Sequence, residues 1–156
     1  MDIKKMLEAQ KELDKANMGK GGLTEYPLDM VQTAYRVELG ELLQEWKQFK
    51  FWKLNKGEID RENMLEEWAD CMHFALSLDY NIYKYIVLDE NAFWNCVNHE
   101  KSIDIYHSIN DCFTISLFTL PYTIALGLKL GYTLEELEKA YWKKNKINWE
   151  RIEGGY

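Results

Sequence analysis

Residues 60–80 read DRENMLEEWADCMHFALSLDY and predict a long amphipathic helix. Asp60 stands directly before the apolar pattern, where an Asp side chain can accept hydrogen bonds from the first helical turn. The apolar residues recur every three or four positions, which places their side chains on one face of an α-helix. They are Met64, Leu65, Trp68, Met72 and Leu76, and the helix is expected to run toward Tyr80.

The same helical period recurs on both sides of this stretch. A first helix carries Ile3, Met6, Leu7, Gln10, Leu13, Asp14 and Asn17 on one face. A second begins near Asp29 and is expected to bury Met30, Val31, Ala34, Val37, Leu42 and Trp46. One or two short helices are expected between Tyr80 and Asn98, followed by a fourth long helix from about Lys101 to Leu130 with a kink at Pro121. The last helix begins at the capping box Thr133–Glu136.

These elements predict an all-α fold, a bundle of about five or six helices with a four-helix-bundle core. A chain of 156 residues is expected to form one domain, 1–156. Apolar residues make up 47% of the chain and only 2 residues are Pro, which excludes a disordered or linker-dominated protein.

Charge and composition limit the classes of binding partner and indicate the cellular compartment of the protein. The net charge of -7 argues against a protein that coats nucleic acid, so any nucleic acid partner is expected to be a small nucleotide. The uncharged stretch Cys112–Leu128 is shorter than the roughly 20 residues that span a bilayer, so no membrane association is expected. The first residues contain no apolar run, and three cysteines without disulfide or metal spacing indicate a cytoplasmic protein.

Acidic residues lie on helix faces that otherwise read as apolar. Glu38 and Glu41 are three positions apart beside Gly40, and Glu67 and Asp70 repeat that spacing on the next predicted helix. Four carboxylates inside a bundle would repel one another unless cations neutralise them. Mg²⁺ suits such an oxygen-only cluster and also accepts phosphate. The alternative is that both pairs are solvated helix faces.

A set of cationic and amide side chains follows on the last helix. Lys144, Asn148 and Arg151 are spaced at i, i+4 and i+7 and therefore share a face. An Arg can bind a phosphate through two hydrogen bonds and a Lys supplies a point charge, so the set suits a polyphosphate. The alternative is a solubilising helix with cations near its negative end. Together with the acidic pairs, this face predicts a site for a nucleoside triphosphate.

Four strings in the chain resemble the all-α, dimeric dUTPases, which belong with MazG-like enzymes to a wider group of all-α nucleotide pyrophosphatases. They are Glu38-Leu39-Gly40-Glu41, the segment 49–53 (FKFWK), the segment 66–74 (EEWADCMHF), and the ending 144–156 (KNKINWERIEGGY). The resemblance implies a homodimer that hydrolyses dUTP, and dUDP as well, to dUMP. Pyrophosphate is the other product from dUTP.

The resemblance also implies residue roles. Glu38, Glu41, Glu67 and Asp70 would hold two or more Mg²⁺ ions, which Mn²⁺ can replace. Glu38 or Glu41 would be the catalytic base that takes the proton of the attacking water. Phosphate-binding residues would be Lys144, Asn148, Arg151, Lys50 and Lys53.

Base recognition can be predicted from chemistry. A carboxamide has both a donor and an acceptor and can meet the edge of uracil, which makes Gln10 and Asn17 candidates. Phe51 or Trp52 could stack on the base, and His73 could contact the phosphate or the sugar. The alternative for Gln10 is a buried core amide whose hydrogen bonds are satisfied within the protein.

Three other functions remain open on the sequence alone. The first is a related pyrophosphatase that acts on dCTP or another noncanonical nucleotide. The second is a di-iron bundle, because Asp70/His73 and Asp104/His107 each place a carboxylate three positions before a His and Glu41 could complete the set. The third is a helical interaction module without catalytic activity.

Overall fold

Seven α-helices form the described part of the chain, which comprises residues 1–84, 86 and 89–155 of a computed structural model. No strand occurs among these residues, so the predicted all-α fold is confirmed. A π-helical turn, Asp79–Tyr83, extends the third helix. The helices are α1 Ile3–Lys20, α2 Leu28–Trp46, α3 Arg61–Leu78, α4 Glu90–Ser102, α5 Ile105–Thr114, α6 Thr119–Lys129 and α7 Leu134–Glu153.

Helix α3, the quoted stretch, lies at the centre of the bundle and packs against α1, α2, α6 and α7. Its Trp68 is fully buried and donates its indole N–H to the Thr123 carbonyl of α6 at 2.8 Å. Tyr35 of α2 reaches the Thr123 hydroxyl at 2.7 Å. These two contacts connect α2, α3 and α6 through one buried residue.

The predicted starts of α3 and α7 agree with the structure. The Asp60 side chain accepts hydrogen bonds from the backbone N–H groups of Glu62 and Asn63, so it caps α3. At α7 the Thr133 hydroxyl accepts from the Glu136 backbone while the Glu136 carboxylate accepts from the Thr133 backbone. This reciprocal pair is the predicted capping box, and it satisfies backbone donors that a helix leaves free at its start.

The prediction of one long helix from Lys101 to Leu130 is wrong. Three helices share this range, since α4 ends at Ser102, α5 covers Ile105–Thr114 and α6 begins at Thr119. Ile115 adopts a positive φ of 48°, which ends α5, and the Thr119 hydroxyl then accepts from the Ser116 backbone before the new helix starts. Pro121 is the third residue of α6 and causes no kink, because a first-turn residue needs no N–H for the helix.

The buried face of α2 also differs from the prediction. Tyr35, Leu39, Leu42 and Trp46 are buried, whereas Met30 and Val37 are exposed. The prediction assigned the wrong residues to the buried face because Glu38, Gly40 and Glu41 interrupt the apolar pattern of α2.

The short helices expected within Tyr80–Asn98 correspond to the end of the π-helical turn and to the first part of α4. Tyr85, Val87 and Leu88 lie outside the described residues. Among the helices that are described, none combines the length and hydropathy that a bilayer crossing requires.

Gly127 of α6 is the position where the bundle tolerates no side chain. A Cβ there would lie 2.6 Å from the Trp68 indole nitrogen and 2.8 Å from a methyl group of Leu137. We therefore expect Gly127→Ala to lower the free energy of unfolding by about 1–3 kcal/mol, as overpacking of a core does. Urea denaturation measures this.

Gly40→Ala is the matched control, since no atom of another described element lies within 4 Å of a Cβ at Gly40. Alanine is the better helix former, so this variant should be more stable by about 0.5–1 kcal/mol. Equal stability of the two variants would contradict the close packing at Gly127.

Candidate active site

Three carboxylates converge where α2 packs beside α3. Oxygens of Glu38, Glu67 and Asp70 all lie within 4.8 Å of one another, and the three side chains are half-buried. Glu67 and Asp70 come from successive positions on one face of α3, and Glu38 faces them from α2. Among the described residues this is the group of acidic, His or Cys side chains that could hold a metal ion.

Burial, together with nearby negative charge, raises the pKa of each carboxylate. For Glu38 the pKa rises to about 7, chiefly because of burial and then because of the charges on Asp70, Glu41 and Glu67. Burial is also the main reason that the pKa values of Glu67 and Asp70 are raised. A bound cation would relieve this repulsion, so the arrangement favours positive charge.

Positive side chains from α7 adjoin the acidic cluster. Lys144 Nζ lies 2.5 Å from Asp70 Oδ2, and both side chains are largely withdrawn from solvent. The charges of Lys144 and Arg151 act to lower the pKa of Asp70, against the larger effect of its burial. The last helix therefore brings cations to one side of the carboxylates.

A cleft of about 390 Å³ extends from the acidic cluster between α1, α3 and α7. At one end it is lined by Glu38, Asp70, Asn148 and Arg151. Polar side chains continue along it, and apolar side chains provide the remaining walls. The polar ones toward α1 are Gln10, Asp14, Asn17, Tyr26, His73 and Ser77, and the apolar ones include Leu13, Met18, Leu23, Val31, Phe74 and Ile152.

Gln10 and His73 are in direct contact inside this cleft. His73 Nδ1 lies 2.7 Å from Gln10 Oε1, and the His73 ring stacks on Tyr141 with ring centroids 4.5 Å apart. Burial, followed by the charge of Lys144, lowers the pKa of His73 to about 3, so the ring is neutral near pH 7. Of the predicted base-binding residues, Gln10, Asn17 and His73 line the cleft.

Other predicted site residues lie apart from the cleft. Glu41 is exposed and outside the group of three, although its charge contributes to the raised pKa values of Glu38 and Glu67. Phe51 and Trp52 are 87% and 60% exposed and do not line the cleft of this chain. Lys50 bonds to the Gln44 side chain, and Lys53 is exposed.

Sequence reasoning did not select Asp14, Tyr26 and Ser77 for the site. Asp14 carried a usable signal, because it is a charged residue on the apolar face of α1, one turn after Gln10. Ser77 follows His73 by one turn of α3 and so shares its face. Tyr26 lies in the connection between α1 and α2, where no periodicity indicates the direction of a side chain.

The sequence model of one protein family, described as dUTPase, matches residues 2–156. The chain belongs to the dUTPase family. It is thus a dUTP diphosphatase with a nucleotide substrate, and enzymes of this family are in general metal-dependent. No curated protein sequence matches the chain.

The family membership and the geometry leave the di-iron alternative without support. No His belongs to the candidate metal group within the described residues, and His73 instead contacts Gln10. Asp104 caps the start of α5, and the side chains of Asp104 and His107 are both more than half exposed. The non-catalytic alternative is excluded by membership of an enzyme family.

We expect Glu38→Gln to stabilise the metal-free protein at pH 8, because it removes a charge that burial and the neighbouring carboxylates disfavour. Glu38 must ionise at about 7 in the folded chain but near 4.5 when unfolded, so its contribution to stability falls as pH rises between these values. In EDTA at pH 8 the variant should melt roughly 2–4 °C higher, the shift that about 1 kcal/mol produces.

At pH 4 or below, Glu38 is protonated in both states and the gain should vanish. Glu153→Gln, an exposed substitution on α7, is the matched control and should leave the melting temperature unchanged at both pH values. A gain of equal size at pH 4 and pH 8 would show that the ionisation of Glu38 is not the cause.

Proposed function

We propose that the dUTP diphosphatase activity is Mg²⁺-dependent and takes place at the acidic cluster beside the cleft. The observation that carries this proposal is the approach of three carboxylate oxygens to within 4.8 Å, on two packed helices, next to Lys144 and Arg151. Such a site can balance cation and polyphosphate charges in one place.

The donor set fits Mg²⁺. All its ligand atoms are carboxylate oxygens, which Mg²⁺ and Mn²⁺ prefer over softer ligands. Glu38, Glu67 and Asp70 would hold the ions, with Glu41 as the further ligand that the sequence predicts. When bound, the metal supplies positive charge to the phosphates and makes the attacking water more acidic.

The side chains of this chain would orient the water and the phosphates. Glu38 or Glu41 would accept the proton of the attacking water, and the raised pKa of Glu38 supports its candidacy as a proton acceptor. Asn148 and Arg151 line the cleft beside Asp70 and would bind the phosphate tail. Lys144 would neutralise charge that develops in the transition state.

The base would occupy the α1 end of the same cleft, at Gln10, Asn17 and His73. The triphosphate of dUTP would then lie over the carboxylates and the uracil at the α1 end, where the buried Gln10 amide is itself bonded to Asp14 and His73. The same geometry would accept dUDP, because the difference between the two substrates is at the phosphate end.

A cytoplasmic homodimer completes the proposal. The connection between α2 and α3 exposes three large apolar side chains in four positions, Phe51, Trp52 and Leu54, which supports a contact with a second copy there. In such a dimer Lys50, Lys53 and the two aromatic rings would be available to the neighbouring subunit's cleft. Light scattering measures the mass in solution, and a single-chain mass at micromolar concentration would contradict the dimer.

Pyrophosphate release tests substrate and metal together. The protein should consume dUTP in Mg²⁺ far faster than dCTP, dTTP, dATP or dGTP, and EDTA should stop the reaction because the acidic cluster then lacks its cation. Faster consumption of dCTP would overturn the base assignment, and full activity in EDTA would overturn the metal assignment.

Two neighbouring glutamates on α3 allow a matched comparison. Glu67 belongs to the acidic cluster, whereas Glu66 points to Lys143 and forms an ion pair on the surface. Glu67→Gln and Glu41→Gln should each reduce kcat by at least about 100-fold. Glu66→Gln breaks a surface pair worth at most about 1 kcal/mol and should retain near wild-type turnover.

Steady-state kinetics with pyrophosphate detection measures all three variants, and circular dichroism confirms that each is folded. Wild-type turnover in Glu67→Gln would remove the cluster from the catalytic site. Wild-type turnover in Glu41→Gln would remove Glu41 alone.

A further inference from the structure

The α1 end of the cleft contains a half-buried carboxylate that the proposed mechanism does not use. Asp14 accepts three hydrogen bonds, from Gln10 Nε2 at 2.8 Å, from Ser77 Oγ at 2.7 Å and from Asn81 Nδ2 at 2.9 Å. Within the described residues no Lys or Arg side chain forms an ion pair with it. Donor groups thus occupy both of its oxygens.

The other contacts of these donors are consistent with hydrogen bonds that run toward Asp14. Asn81 Nδ2 also donates to the Ser77 carbonyl, so both of its N–H groups are used. Ser77 donates its hydroxyl proton to Asp14 and can therefore accept from the Tyr26 hydroxyl, which lies 2.8 Å away. With these directions each neighbouring group donates to the carboxylate, and the three hydrogen bonds favour the ionised form of Asp14 against the burial that raises its pKa.

An ionised carboxylate determines how the Gln10 amide is turned. A carboxylate only accepts hydrogen bonds, so the amide must present its NH₂ group to Asp14 and its oxygen to His73. The nitrogen of His73 that faces Gln10 Oε1 must then carry a proton. Because the ring is neutral, the proton sits on Nδ1 and leaves Nε2 with a lone pair.

Among the described residues, His73 Nε2 has no hydrogen-bond partner in good geometry, although the Tyr141 backbone interacts with the ring and acts to raise its pKa. It is buried in a side chain that is only 4% exposed, and that side chain lines the cleft. A buried acceptor without a partner is costly in a folded protein and indicates that a ligand donor completes it. A ligand in the cleft would complete this acceptor with an N–H or O–H group.

We propose that Asp14 is a positioning residue for base recognition: through the Gln10 amide it holds His73 as an acceptor for the N3–H of uracil. This inference rests on the proposed function, because it places the base at this end of the cleft. Uracil carries a proton on N3 and can donate it to His73 Nε2. Cytosine has a lone pair on N3, so two acceptors would face each other and no hydrogen bond would form. Asp14 thereby selects dUTP over dCTP without contacting the reacting phosphorus.

The protonation of His73 can be measured directly by long-range ¹H–¹⁵N NMR. The chain has only 3 His residues, so His73 can be assigned with variants of the exposed His99 and His107. The wild-type protein should show a proton on Nδ1 and none on Nε2. A proton on Nε2 would overturn the proposal, and this measurement needs no change to Asp14.

Asp14→Asn removes the fixed direction of the hydrogen bond to Gln10, since an amide at position 14 can either donate to the Gln10 side chain or accept from it. We expect a mixture of the two neutral forms of His73 and a fall of at least about tenfold in the ratio of kcat/KM for dUTP over dCTP. Glu12→Gln, an exposed acid-to-amide change on the same helix, should alter neither quantity. An unchanged His73 spectrum and an unchanged ratio in Asp14→Asn would overturn the proposal.

Binding of nucleoside monophosphates separates this inference from the proposed function. An inactive wild-type protein would refute the proposed function, but tighter binding of dUMP than of dCMP, lost in Asp14→Asn, would still support the role of Asp14. An active protein that binds dUMP and dCMP equally well, and hydrolyses dUTP and dCTP equally well, would overturn the role of Asp14 alone.

Discussion

The half-buried negative charge of Glu38, Glu67 and Asp70 is the constraint on which the rest of the site depends. The packing of α2 against the buried helix α3 holds their oxygens within 4.8 Å of one another, and burial removes part of the water that would screen them. Lys144 balances one of these charges at 2.5 Å. The remaining negative charge makes the pocket receptive to a cation, and a cation in turn makes it receptive to phosphate.

Helix α3 joins the two ends of the cleft. Asp70, His73 and Ser77 follow one another along a single face, so the helix connects the proposed metal-binding end to the proposed base-binding end without a flexible segment between them. Because α3 is anchored by the fully buried Trp68, the distance between the two ends is set by the core. A rigid helix therefore holds the two ends of the cleft at a fixed distance, which would favour nucleotides of matching length.

The features that could be predicted from the sequence are those determined by residues close together in the chain. The spacing of Glu67 and Asp70 on one helix, the cap at Asp60 and the capping box at Thr133 depend on residues within one turn, and the structure agrees with each. The break at Ile115 escaped prediction, because it depends on how α5 and α6 pack and carries no Gly or Pro of its own. Asp14 escaped because its importance comes from Ser77 and Asn81, which lie more than 60 positions away.

Diffraction from crystals grown with Mn²⁺ and a non-hydrolysable dUTP analogue tests the central claim most directly. The anomalous signal should locate an ion about 2.1 Å from oxygens of Glu38, Glu67 and Asp70 and in contact with the phosphates. An ion held elsewhere on the chain, with these three carboxylates bonded only to water or to Lys144, would contradict the account.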